Sequence, residues 1–171
     1  GARLMHGERP NDIAADLLEG TEEGPHASWR DIARPEQLLP DGDWRTWYLQ
    51  GSRGAGKTRS AAEALAELIQ EHPGGGWGVV APTYADARDV CMEGPSGLLI
   101  ALGAQPGAWK GGEVLHWNRS IGELEFLNGS RVYLDGADDG ALRVQGKNLR
   151  GAWCDEIGLW RDWETSWDES L

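Results

Sequence analysis

Phenylalanine occurs once in these 171 residues, lysine three times, and cysteine and methionine twice each. Two cysteines, Cys91 and Cys154, are too few and too far apart for a disulfide framework or a zinc site. A reducing, cytoplasmic setting is therefore the expectation. No run approaches the roughly 18 apolar residues of a membrane span, so no membrane partner is expected. No basic-then-apolar segment opens the sequence, so secretion is not indicated. Basic residues are scarce as well: 28 Asp and Glu against 16 Lys and Arg give a net charge of −12. That excess argues against a broadly basic domain that coats nucleic acid. It leaves room for contact with DNA through a few residues on one face.

What the sequence has in excess is glycine, 25 residues, and tryptophan, ten. Hydrophobic residues at 40% and charged residues at 26% are ordinary for one globular domain with a proper core. Among the glycines, Gly51-Ser52-Arg53-Gly54-Ala55-Gly56-Lys57-Thr58 fits G-x-x-x-x-G-K-[ST] at every required position. Random placement at this composition gives about 0.005 expected matches, so chance is a poor explanation. The pattern has a mechanism. Glycines let the backbone curl so that successive N–H groups face phosphate oxygens, and the following helix adds its positive pole. Lys57 is placed to reach the β- and γ-phosphates of ATP, and the Thr58 hydroxyl to ligate Mg²⁺.

The flanks agree with a strand–loop–helix unit. Trp47-Tyr48-Leu49 reads as a short buried strand before the loop. Ala61, Ala64, Leu65, Leu68 and Ile69 fall on one helical face after it, and Pro73 with Gly74–Gly76 ends that helix near His72. Upstream, a short helix starting near Asn11 or Asp12 is expected, then a loop; residues 1–28 read as a partly irregular extension, and 29–171 as the main domain. Arg34 and Gln37 stand where many phosphate-loop motors hold adenine, although a surface loop explains each equally well.

Downstream, residues 76–82 (GWGVVAP) read as a strand, and Thr83 through Met92 as a helix with Thr83 as its N-cap. Leu98 to Leu102 read as a short helix closed by Gly103, and 105–112 as a loop. Between 113 and 135 the period changes to two, with Asn128-Gly129 as a hairpin turn. Antiparallel strands there would extend a parallel core. His116 is expected to pack in a strand, since no partner stands at metal-ligand spacing. Ala152-Trp153-Cys154 reads as a further parallel strand, and Trp160, Trp163 and Trp167 follow at helical spacing.

That last strand ends in Asp155-Glu156. Hydrolysis of a bound triphosphate needs an acid on the Mg²⁺ shell and a base for the attacking water. Asp155 suits the first role and Glu156 the second. Trp167-Asp168-Glu169 offers a second pair, but polar residues precede it. A cation on the γ-phosphate is also wanted. Arg53, Arg143 and Arg150 are the candidates, each equally readable as a surface charge.

Taken together, ARPEQLLPDGDWRTWYLQGSRGAGKTR (33–59), VVAPTYADARDVCMEGPSGLL (79–99), NGSRVYLDGADD (128–139) and LRGAWCDEIGLW (149–160) resemble the N-terminal ATPase domain of tailed-phage large terminases. The resemblance spans roughly 29–163. It implies an α/β, RecA-like P-loop NTPase of the catalytic-glutamate class, a mainly parallel sheet flanked by helices with an added antiparallel segment. It implies an ATPase driving double-stranded DNA into a capsid, with ATP and Mg²⁺ as ligands. Portal protein and small terminase subunit would be its partners, and the host cytoplasm its location. The active form would be a homo-oligomeric ring, the isolated fragment a monomer. Lys57, Thr58, Asp155, Glu156 and Arg53 match family motif positions. An R-G pair supplies the family's trans-acting arginine; here Gly146 follows Gln145, with Arg143 and Arg150 on either side. The family's coupling motif and nuclease domain are not found by Leu171, so no DNA cutting is expected of this chain. The alternatives are a superfamily 2 helicase-like translocase, a P-loop kinase, which Glu156 argues against, and a nucleotide-binding module without turnover.

Overall fold

The computed structural model describes residues 28–139, 144, 146–162 and 164. The chain divides into two units, 1–32 and 33–171. Of the first, the described part is Ser28 and a single helical turn, α1 (Trp29–Ile32), capped by Asp31, whose carboxylate accepts from the Ser28 N–H and hydroxyl. The expected helix near residues 11–18 lies outside the described residues.

The second unit is built on a five-stranded sheet in the order β2-β3-β4-β1-β5. The strands are β1 (Gly76–Ala81), β2 (Val114–Asn118), β3 (Glu123–Phe126), β4 (Arg131–Gly136) and β5 (Leu149–Cys154). β1 pairs parallel with both β4 and β5, while β2–β3 and β3–β4 are antiparallel. The sheet is thus evenly mixed rather than mainly parallel, because the expected antiparallel segment supplies half of the pairings. β1 is the central parallel strand and reads as a continuous apolar run, as a strand covered on both faces should.

The helix α2 (Lys57–Glu71) ends at His72 as the Pro-Gly run dictates. Of the five residues expected on its buried face, Ala64, Leu65 and Ile69 are buried and Ala61 and Leu68 half-buried; Ala62 and Ala66 are buried as well, because small side chains let the helix sit close to its neighbours. Together with β1, β4, the 84–92 segment and α4 (Leu98–Ala101) it builds the main core around Leu98, Leu99, Phe126 and Leu134. The Asn128-Gly129 turn forms as expected, with Gly129 at φ +82°. Its Asn128 amide also donates to the Ile69 carbonyl at 2.9 Å, tying the hairpin to α2.

Three local expectations are corrected. Trp47-Tyr48-Leu49 has no sheet partner among the described residues, and Tyr48 is 72% exposed. Both edges of β1 are already taken, by β4 and β5, so this run has no place beside it. Residues 84–92 form one α-turn, α3 (Tyr84–Asp86), that widens into a π-helical segment, Ala87–Met92. Thr83 does cap it, its hydroxyl oxygen accepting from the Asp86 N–H at 3.1 Å. His116 lies in β2 but faces outward, where the edge strand has nothing to pack against.

Candidate functional site

The glycine loop crosses from the irregular 46–50 segment into α2. Gly54 and Gly56 adopt φ +80° and +85°, a left-handed backbone that side-chain-bearing residues rarely take. Ala55 N–H closes a turn onto the Ser52 carbonyl at 3.1 Å. Gly51 through Gly54 are exposed, and the first turn of α2 carries no acidic residue, so its positive pole is not neutralised. The Lys57 ammonium folds back over the loop, donating to the carbonyls of Gly51 at 3.0 Å and Ser52 at 3.3 Å. Thr58 stands half-buried one residue further on.

The loop is braced from upstream. Arg34 donates to the Ala55 carbonyl at 2.9 Å, and the Gln37 amide reaches the same oxygen at 3.4 Å. Gln37 is buried, its Oε1 accepting from the Arg34 N–H at 3.0 Å. A Cβ on Gly56 would come within 2.6 Å of the Gln37 Nε2, so a side chain there would displace the Gln37 amide, and its φ of +85° favours glycine independently. The surface-loop expectation for Gln37 is therefore corrected: burial against the phosphate loop holds it.

The acid pair stands at the C-terminal end of β5, where open α/β sheets gather ligand contacts. Asp155 N–H donates to the Val80 carbonyl at 2.8 Å, extending the β1–β5 ladder by one residue. The Trp160 indole N–H donates to the Asp155 carbonyl at 3.0 Å. Both backbone groups of Asp155 are thereby pinned. Its carboxyl group is held above the ordinary range by burial first and by the Glu156 charge second; hydrogen bonds from Cys91 and Trp153, and the Lys57 ammonium, pull the other way. The Lys57 charge is the smallest of these influences. The Cys91 thiol, fully buried, donates to Asp155 Oδ2 at 3.7 Å. Burial chiefly, then the Asp155, Asp86 and Glu156 charges, push that thiol far above its ordinary pKa.

Glu156 is exposed and takes φ +49°, ψ +43°. Trp109 is the one other non-glycine residue among those described with positive φ. A glutamate in that region costs roughly 1–3 kcal/mol unless its surroundings impose it. Here a 3-10 turn, Ile157–Leu159, starts directly after it, and buried Trp160 anchors that turn. The Cys91 contact had no sequence signature, since it joins residues 64 apart in the chain.

Of the sequence-predicted residues, Gly51–Thr58 and Gln37 lie together at the loop, and Asp155 and Glu156 at the end of β5. Arg53 is exposed on the loop itself. Arg150 is not among them: it precedes Asp155 by five residues on β5, roughly 16 Å along the strand, and its side chain lies beside Gly75 at the opposite end of the sheet. Arg143, Gln145, Trp163 and Trp167 lie outside the described residues.

The family model for the N-terminal part of the T4-like-virus type terminase large subunit matches residues 48–168, more than half of the chain. The chain belongs to this family. Membership supports a role in phage DNA packaging. No curated protein sequence matches the chain. The terminase match begins at Tyr48 and so takes in the glycine loop and the acid pair, but not the Arg34–Gln37 brace.

Proposed function

We propose that this chain is the ATP-hydrolysing motor segment of a phage large terminase, a P-loop NTPase of the RecA-like, catalytic-glutamate kind that drives double-stranded DNA into the capsid. The carrying observation is the loop itself: Gly54 and Gly56 in left-handed backbone lead into the unneutralised pole of α2, with the Lys57 ammonium folded over the Gly51 and Ser52 carbonyls. In this reading the amides of Gly51–Gly56 and the α2 pole hold the triphosphate, and Lys57 exchanges its loop carbonyls for phosphate oxygens. Arg34 and Gln37 keep the loop in shape through Ala55; Gln37 reaches the adenine only by releasing that carbonyl. Glu156 accepts the proton of the attacking water.

Mg²⁺ binding fits the residues present. Among those described, no three His, Cys, Asp or Glu come together as a protein cage. Mg²⁺ in such enzymes is held by one or two protein groups plus phosphate and water, and Thr58 with Asp155 supplies that number. When bound, the ion neutralises charge developing on the β- and γ-oxygens. Arg143, Arg150 and Arg53 remain the arginine candidates, and a ring on the portal with small subunit and DNA is the assembly in which one would act.

The reading is tested by two variants assayed for nucleotide binding and for phosphate release. Lys57→Ala should lose ATP binding. Glu156→Gln should bind ATP as the parent does and lose about 10²-fold or more of its turnover. Normal hydrolysis by the glutamine variant would show that the base lies elsewhere.

A further inference from the structure

The Cys91 thiol approaches Asp155, one of the two carboxylates that the proposed reaction needs oriented. It comes from the π-helical segment Ala87–Met92, whose turn closes from Glu93 N–H to the Arg88 carbonyl at 2.9 Å. Such i→i+5 turns are rare and recur at functional sites. This one is locked from behind: Cβ atoms on Gly94 and Gly97 would each come within 2.5 Å of a carbonyl of the segment, Val90 and Met92 respectively. The chain folds back tightly on the π turn, and the turn delivers Cys91 to the end of β5. Asp155 is already fixed through its N–H and its carbonyl. Cys91 adds a fixed contact to its side chain, on Oδ2.

We propose that Cys91 is a positioning residue: its S–H holds Asp155 Oδ2 so that the other carboxylate oxygen is presented to the Mg²⁺ shell. The inference rests on the reading of Asp155 as the magnesium acid. Groups that orient a metal-shell ligand typically change metal affinity by about 10–100-fold when removed. A thiol suits the place because it packs as a small apolar group while still offering one weak donor.

The test uses the full chain with ATP and two readouts: Mn²⁺ binding followed by electron paramagnetic resonance, and the Mg²⁺ concentration that half-saturates turnover. Cys91→Val is apolar and only one methyl group larger, lacks a donor, and should weaken Mn²⁺ binding about tenfold, with nucleotide affinity in the absence of metal unchanged. Cys91→Ser, smaller but still a donor, should recover part of the loss. In an Asp155→Asn background, Cys91→Val should have no further effect on metal binding, because the group it positions is gone. Folded Cys91→Val with parental metal dependence, or an equal loss in the Asp155→Asn background, would overturn the proposal. If Asp155→Asn itself leaves metal dependence unchanged, the magnesium-acid reading fails instead. Should the valine variant not fold, the serine variant decides: metal affinity at least tenfold weaker than the parent, with its donor retained, counts against positioning, and near-parental affinity supports it.

Discussion

Burial holds the Asp155 carboxyl group above its ordinary pKa, and the Glu156 charge beside it adds to the shift. The native state therefore keeps the proton more tightly than the unfolded chain does. Between the unfolded value of 3.8 and the raised native value, folding takes up a proton, so stability falls as pH rises through that window. Above the window the ionised carboxylate is retained at a cost, partly offset by Lys57, Cys91 and Trp153. Asp155→Asn removes that ionisation. Without metal or nucleotide, the asparagine variant should melt at a higher temperature than the parent at pH 8. The gap should close as pH drops below 3.8, where both side chains are neutral. Thermal melts across pH check this; a gap independent of pH would mean the carboxylate is not strained in the fold. Glu156 shows a related tension in its backbone, since a left-handed glutamate is stable only where the chain on both sides imposes it.

At the scale of elements, the site depends on how closely the ends of β1 and β4 approach. A Cβ on Gly136, the last residue of β4, would fall 2.3 Å from the Tyr84 N, 2.7 Å from the Thr83 carbonyl carbon and 2.2 Å from the Asp139 Oδ2. Two of these are backbone atoms of the turn that leads into the π segment, and the third is the carboxylate that accepts from the Tyr84 N–H at 2.7 Å. Gly136→Ala should thus destabilise by about 1–3 kcal/mol, measured by chemical denaturation, while Gly146→Ala, which meets nothing within 4 Å, should show only the smaller strain of its φ +76°. A Gly136→Ala variant as stable as Gly146→Ala would mean the two strand ends can part freely. This scale also shows what a sequence can carry. The α2 helix, β1, the Asn128-Gly129 hairpin and the Thr83 cap were legible because periodicity and turn chemistry are local. The lack of a sheet partner for Trp47–Leu49 among the described residues was not, because an apolar triplet does not specify whether any strand lies beside it. The π register was not legible either: apolar spacing over 84–92 fits a helix, and its widening is fixed by how Gly94 and Gly97 return onto it.

Across the whole second unit, the parallel strands β1 and β5 have two distinct ends. The acid pair stands at one, and Arg150 stands at the other beside Gly75. An arginine there cannot serve the phosphates of its own chain without leaving β5. It can serve those of a neighbour, if copies are arranged with the far end of one against the site of the next. Arg143 precedes β5 in sequence and is open to the same test. A chain carrying Glu156→Gln lacks its own base but offers an intact arginine. A chain carrying Arg143→Ala with Arg150→Ala retains the base and lacks both arginines. Each alone should hydrolyse ATP at least 10²-fold more slowly than the parent. Mixed under conditions where the parent's specific activity rises with protein concentration, they should hydrolyse faster than the sum of the two alone, because hybrid contacts pair a working base with a donated guanidinium. Phosphate release measured against mixing ratio, with its peak at intermediate ratios, is the expected curve. If the double-arginine variant is as active as the parent, Arg53 or another cation serves the phosphates; if it is inactive and no ratio rescues it, the arginine acts within its own chain.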